Sequence, residues 1–393
     1  MSLRTRLQRL GSLATESPRA SDDEGPQHSA PGRSLGDETF SPRLLERRCA
    51  SEHRHGDVSI GRARAVDARH IAKLALDPAL ANLDLERALY LDTETTGLAG
   101  GSGTLPFVIG LGLFHAGETF LIEQLIVPEP GQERAALHHL AERIASSSCL
   151  VTYNGKSFDW PLLRTRFVLN RIAVPKIDAH VDLLHATRRV YRRRLGEVRL
   201  GHVEREVLGF AREGDIDGSE IPQRYFDFLR RRDWTLLTPV IEHNALDLLA
   251  LAALIGHLDA SYESPQSPRD TRDQLGFAKV AARARDRDRA RDFAYTAATG
   301  ATAADSLDAL RLLAMLHRQA GRHADAVAAL GRCLEVAGPP EHPQLHLALA
   351  KIYEHQLRQH DMALSHAREA HSAEPVEVHT KRLERLGRRL ART

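Results

Sequence analysis

Cysteine is scarce in this chain: three residues among 393, Cys49, Cys149 and Cys333, lie far apart with no CxxC pair. That distribution supplies neither a disulfide framework nor a zinc site, and it fits a reducing compartment. An excess of one charge is missing too. Lys and Arg total 54 against 52 Asp and Glu, a net charge of +2, so the global balance names no partner and only local patches can. No apolar run approaches the roughly 18 residues of a membrane span, and no apolar core of a signal peptide opens the chain. A soluble, cytoplasmic protein without a membrane partner is expected. The glycine-rich GLAGGSG at 97–103 lacks a following GK[ST] and leads into a strand instead of a helix, which argues for a flexible turn over a nucleotide-phosphate loop.

What is present divides into parts. The 42% hydrophobic content fills at least one full core, and the length suggests two domains with disordered ends. Residues 1–40, rich in Ser, Pro, Gly and charge, read as disordered. Residues 41–86 read as a polar extension with helical patches such as ARHIAKLAL, and His53 and His55 as part of a surface loop, since no third ligand stands at metal spacing. Residues 87–258 read as a domain. RALYLDTE, LPFVIGLGLF and ETFLIEQLIV are predicted strands, the last two joined by a turn at HAGE. A helix at QERAALHHLAERIA, a strand at CLVTYN and a helix from DWPLLRTRFVLN follow, so the α/β pattern predicts a mixed sheet covered by helices. After a linker at 259–272, residues 273–393 are helical and repetitive. Ala278, Ala290, Ala294 and Ala297 recur 36 residues later as Ala314, Ala326, Leu330 and Cys333, then, with one insertion, as Ala350, Ala363, Ala367 and Ala370. Small residues at a fixed period let paired helices stack closely, and the pattern resembles the tetratricopeptide repeat. Aromatics are only 5% of the chain, and the repeat's aromatic positions are mostly missing, with Tyr353 standing in one of them.

Three short stretches carry acids in matching contexts. In YLDTETTG, Asp92 and Glu94 share one face of a strand and converge on one point, where two carboxylates repel each other unless a cation lies between them. A solvated strand end is the plain alternative. In YNGKSFDWP, Asp159 stands where a loop enters a helix, either as a functional acid or as an N-cap. In EHNALDLL, His243 and Asp247 are four apart on one face of an apolar helix, which would hardly bury an unpaired acid.

In this order, LDTETTG, YNGKSFDWPLL and HNALDLLAL resemble the three exonuclease motifs of the DEDD superfamily, and GEVRLGHVEREVLG with GSEIPQRYFDFLR resemble its YprB-type branch. The resemblance covers about 87–258 and implies a ribonuclease-H-like fold. It also implies 3′ to 5′ hydrolysis of single-stranded DNA or RNA, with two Mg2+ or Mn2+ ions held by Asp92, Glu94, Asp159 and Asp247. Hard oxygen ligands suit those ions better than zinc. His243 is expected to orient or deprotonate the attacking water. Relatives using histidine place it five residues before the last acid and those using tyrosine place it four before. This chain has histidine at the tyrosine spacing, which leaves open a helix histidine with no part in turnover. Thr95, Tyr153, Asn154 and Phe158 are the expected contacts to a nucleic-acid end, against core packing for the aromatics. Arg192, Arg193 and Arg194 belong to a run of five arginines in seven residues, which reads either as a phosphate-binding surface or as a solvated face. Two alternatives to an enzyme stand beside this: a catalytically weak nucleic-acid-binding protein, and a scaffold whose repeats bind a protein partner.

Overall fold

The computed structural model describes residues 30–38, 40–97, 103–115, 119–300 and 303–391. Residues 1–29 of the expected disordered segment, 98–102 of the glycine-rich stretch and 116–118 of the HAGE turn lie outside the described residues. Contacts group the chain into two units, residues 1–187 with 197–260, and residues 188–196 with 261–393.

In the first unit, β5 (Ala88–Thr95) is an interior strand of a seven-stranded mixed sheet, flanked on both sides. Its residues are buried on both faces, as a strand with neighbours on both sides and helices above and below must be. Antiparallel to it lies β6 (Pro106–His115), followed outward by β7 (Thr119–Ile126), β2 (Arg43–Ala50) and β1 (Arg33–Ser34). On the other side β8 (Cys149–Thr152) and β9 (His180–Asp182) run parallel to it. A separate hairpin pairs β3 (Arg54–His55) with β4 (Val58–Ser59). Helices α1 (Ala68–Ala75), α2 (Arg134–Ser146), α3 (Asp159–Leu169), α4 (Leu183–Leu195), the short α5 (Leu200–Val203), α6 (Ile221–Arg231) and α7 (Thr238–Glu263) complete the element order. This is the ribonuclease-H-like mixed sheet flanked by helices that the motif order implies.

Alternation along the strands divides the sheet's two faces. Leu89 and Leu91 of β5, Ile109 and Leu111 of β6 and Leu150 of β8 pack with Leu137, Leu140 and Ile144 of α2 and Leu163 and Phe167 of α3. Val108 and Ile126 pack with Tyr225 and Phe228 of α6 and Val240 and Ile241 of α7. At Gly110 the approach of α7 is close enough that a Cβ would stand 2.2 Å from Asn244 Oδ1. Helix α7 has an 18-residue window with mean hydropathy 1.3, so among the described residues one helix is by composition apolar enough for a membrane span, contrary to the expectation of none. That window is 72% buried inside the protein, which makes it a core helix by the same composition.

The N-terminal boundaries need correction. Strand β2 pairs with β7 over its whole length, Arg43 opposite Ile126 through Ala50 opposite Thr119, so residues 41–86 are part of the first unit and not an extension ahead of it. Only Leu44 of β2 is buried, because backbone pairing and not apolar content holds it there. Within the segment expected to be disordered, Arg33 and Ser34 pair with Leu44 and Arg43, and Arg43 Nε donates to Pro31 O at 2.6 Å. His55 is not in a surface loop: it is fully buried, Nε2 lies 2.7 Å from Glu204 Oε1 and its ring stacks on Phe210.

The second unit contains α8 (Thr271–Arg283), α9 (Arg287–Thr299), α10 (Ala303–Gln319), α11 (His323–Val336), α12 (His342–Ile352), α13 (His360–Glu369) and α14 (Val376–Leu390). All twelve recurring small positions, from Ala278 to Ala370, are buried where these helices pack. Residues 188–196 belong to this unit and not to the domain expected over 87–258. The expected linker at 259–272 is occupied up to Glu263 by the end of α7 and from Thr271 by α8.

Candidate active site

The sheet turns two of the four acids inward at one strand end. Asp92 and Glu94 pair with Gly110 and Val108, and a register shift between Glu94 and Thr95 ends the ladder there. Both point to the α7 side of β5, while Thr93 points to the α3 side and donates its hydroxyl to Asp159 Oδ1 at 2.5 Å. Asp159 is the first residue of α3 and buried, so an N-cap role is not what the structure gives it; Phe158 holds the cap position without a side-chain bond. The loop before α3 is shaped by Asp182, whose carboxylate accepts from the backbone N–H groups of Asn154 at 2.8 Å and Lys156 at 3.1 Å. Asn154 adopts a left-handed conformation with φ of 67°, which asparagine tolerates better than most residues.

Helix α7 supplies the remaining groups. Asp247 and His243 lie one turn apart, with His243 Nε2 3.6 Å from Asp247 Oδ2. On its other nitrogen His243 is held by Asp215, Nδ1 lying 2.9 and 2.8 Å from the two carboxylate oxygens. Potential ligand atoms of Glu94, His243 and Asp247 all lie within 4.8 Å of one another. Asn244, between them in sequence, donates Nδ2 to Asp92 Oδ2 at 2.8 Å, and Gln124 of β7 in turn donates to Asn244 Oδ1 at 2.9 Å. The partly buried Arg212 joins Glu204, Asp215 and Asp247. Its Nε donates to Glu204 Oε2 at 2.8 Å, Nη1 to Asp215 Oδ2 at 3.0 Å and Nη2 to Asp247 Oδ1.

Electrostatics make this cluster short of positive charge. Burial pushes Asp92 well above the usual carboxylate range, and the charges of Asp247 and Asp159 push it further, against the hydrogen bond from Asn244. Glu94 is raised by burial, then by Asp92, Asp247 and Asp159. Asp159 rises to about 6, from burial and then Asp182 and Asp247, with the Thr93 hydroxyl opposing. Arg212 stays charged because Asp247 and Glu204 more than offset the cost of its burial. One guanidinium among so many acids, itself shared with Glu204 and Asp215, leaves a cluster of hard oxygens that fits divalent cations.

Of the expected nucleic-acid contacts, Thr95 is buried and its hydroxyl donates to Gly97 O at 2.9 Å. Tyr153 and Phe158 are partly buried, and the Tyr153 hydroxyl donates to Val198 O at 2.5 Å, which uses its polar end within the fold. Asn154 is exposed. The arginine run is corrected by its partners in the second unit. Arg193 pairs with Asp305 at 2.9 Å and Asp308 at 2.7 Å, and Arg194 with Asp273 at 2.8 Å, so neither offers a phosphate an unshared charge. Arg192 is exposed. Asn244, Arg212, Asp215 and Thr93 are the members of the site that sequence reasoning missed.

Residues 89–259 match the RNase_H superfamily, which suggests a nuclease-type function, and those bounds contain every residue of the acidic cluster. The Uncharacterized protein YprB of Bacillus subtilis (strain 168) is 32% identical over 307 residues, 77% of this chain and 73% of its own length. The chain belongs to the YprB family, built around a ribonuclease-H-superfamily domain.

Proposed function

We propose that this protein is a divalent-cation-dependent nuclease that hydrolyses single-stranded DNA or RNA stepwise from the 3′ end. The observation that carries the reading is the convergence of Asp92, Glu94, Asp159 and Asp247, with His243, at the end of β5. Asp92, Glu94, Asp159 and Asp247 would hold two Mg2+ or Mn2+ ions, which when bound supply an activated water and relieve charge at the leaving oxygen. The protein's own groups do the rest. Neutral His243 accepts the water's proton at Nε2, while its Nδ1–H donates to Asp215, which fixes tautomer and ring orientation. The water oxygen bonds to phosphorus as the P–O3′ bond breaks, O3′ takes up a proton from solvent to become the 3′-hydroxyl of the shortened strand, and a nucleoside 5′-monophosphate leaves. Arg212 locks Asp215 and Asp247 together, and Asn244 and Thr93 do the same for Asp92 and Asp159.

The mutual approach of ligand atoms from Glu94, His243 and Asp247 favours a second reading of His243, as a cation ligand instead of a proton acceptor. The overall proposal is tested with purified protein and 5′-labelled single-stranded DNA and RNA, with and without Mn2+. A Mn2+-dependent ladder shortening one nucleotide at a time is expected. Binding without cleavage would mean a protein that holds nucleic acid without turnover, and internal cuts would replace the exonuclease with an endonuclease.

A further inference from the structure

An open cavity of about 640 Å³ crosses helices α10, α12 and α14 of the second unit. Arg318 of α10, Lys351 of α12 and Arg382 and Arg385 of α14 line it, together with His323 and His355, and no carboxylate is among its lining residues. Two of these cations are anchored from beneath. Glu354, fully buried, takes Arg385 at 2.7 Å, Arg382 at 3.2 Å and Arg389 at 3.6 Å, so three guanidiniums surround one carboxylate. Glu374 takes a further share of Arg382 at 2.8 Å. Arg318 and Lys351 are exposed and, among the described residues, make no direct ion pair or hydrogen bond, the Lys351 charge acting on Glu374 only through space. The cavity therefore carries excess positive charge on side chains that are partly pre-positioned.

We propose that this cavity is a phosphate-backbone site that holds single-stranded nucleic acid. This rests on the nuclease reading, because the need for it comes from there. The acidic cluster of the first unit repels phosphates, Arg212 is committed to three carboxylates, and Arg193 and Arg194 are committed to Asp305, Asp308 and Asp273. A polyanionic substrate needs cations that are not already paired, and this cavity has them. Guanidinium groups also match the paired oxygens of a phosphate, whereas the few apolar lining groups, Met315 and Ile352, offer little to a peptide side chain.

The test is oligonucleotide binding by the full chain in EDTA, where no cleavage is required, comparing the parent with the double variant Arg318→Ala, Lys351→Ala. Both side chains are exposed and make no direct contact with a carboxylate, so the variant keeps its fold. Affinity for a single-stranded 12-mer at 0.1 M salt is expected to fall roughly tenfold, and the slope of log affinity against log salt to flatten by about 1.4, twice the 0.7 per contact of single strands. Metal-dependent cleavage of a dinucleotide should remain at the parental rate, which separates failure here from failure of the nuclease reading. An unchanged salt slope, or a parent that binds no oligonucleotide, overturns the proposal. A variant that loses poly-glutamate but keeps the oligonucleotide assigns the cavity to an acidic protein instead.

Discussion

At the scale of single residues, His243 stands between two roles that one substitution separates. As proton acceptor, its loss in His243→Ala should lower turnover by roughly 10² to 10⁴ while the Mn2+ dissociation constant stays at the parental value. As a ligand, the same variant would weaken Mn2+ binding in step with turnover. His243→Tyr should recover part of the loss if the resemblance to the DEDD exonucleases holds, since those that use tyrosine place it four residues before the last acid. Asp215→Asn keeps the shape but removes the carboxylate that orients the ring, and a drop of about 10- to 100-fold is expected. His180 gives a prediction independent of catalysis. Its value is lowered from 6.5 to about 4, by burial and then by Lys156, against Asp182. The folded imidazole stays neutral while the unfolded one takes up a proton below about 6.5, so its contribution is present above that pH and lost as pH falls toward 4. The loss is bounded at about 3 kcal/mol. Urea midpoints at pH 7 and pH 4.5 should differ less in His180→Gln than in the parent, and equal differences would contradict the assignment.

At the scale of elements, the site depends on how closely α7 approaches the sheet. Gly110→Ala would place its methyl group 2.2 Å from Asn244 Oδ1, at the residue that holds Asp92. Overpacking of this kind costs about 1 to 3 kcal/mol, and turnover should fall with it because Asp92 loses its donor. Adding Asn244→Ala removes the clash, so the double variant should be more stable than the two single losses added together predict. Additive losses would show that α7 does not press on β6 at this point. The same elements show what the sequence could reveal. Asp247 is legible as an acid in an apolar helix, and Asn244, three residues earlier on the same helix, is a polar side chain in the same apolar setting and needs a partner for the same reason. Arg212 and Asp215 sit in an irregular stretch between elements, where no periodicity marks a side chain as facing the site. Strand β2 escaped because its polar residues hide a strand held by backbone pairing, and β9 because three residues carry too little pattern. Arg193 and Arg194 read as solvated or phosphate-binding because their partners, Asp273, Asp305 and Asp308, lie about 80 to 115 positions away in sequence.

At the scale of the molecule, the first unit is built with an internal charge imbalance that bound divalent cations would correct. Crowded carboxylates at the end of β5 should make that unit less stable without metal and more stable with it. At a Mn2+ concentration 100 times the dissociation constant, linkage contributes about 2.7 kcal/mol per site. Asp92→Asn removes one of the mutually repelling charges, so without metal its melting temperature should equal or exceed the parent's, and it should gain less on adding Mn2+. The most direct test of the account is the cleavage rate of Asp92→Asn beside the parent, on the same labelled single strand at saturating Mn2+. The parent is expected to degrade the strand and the variant to leave it intact. Equal rates would contradict the claim that the carboxylate cluster at the end of β5 performs the chemistry.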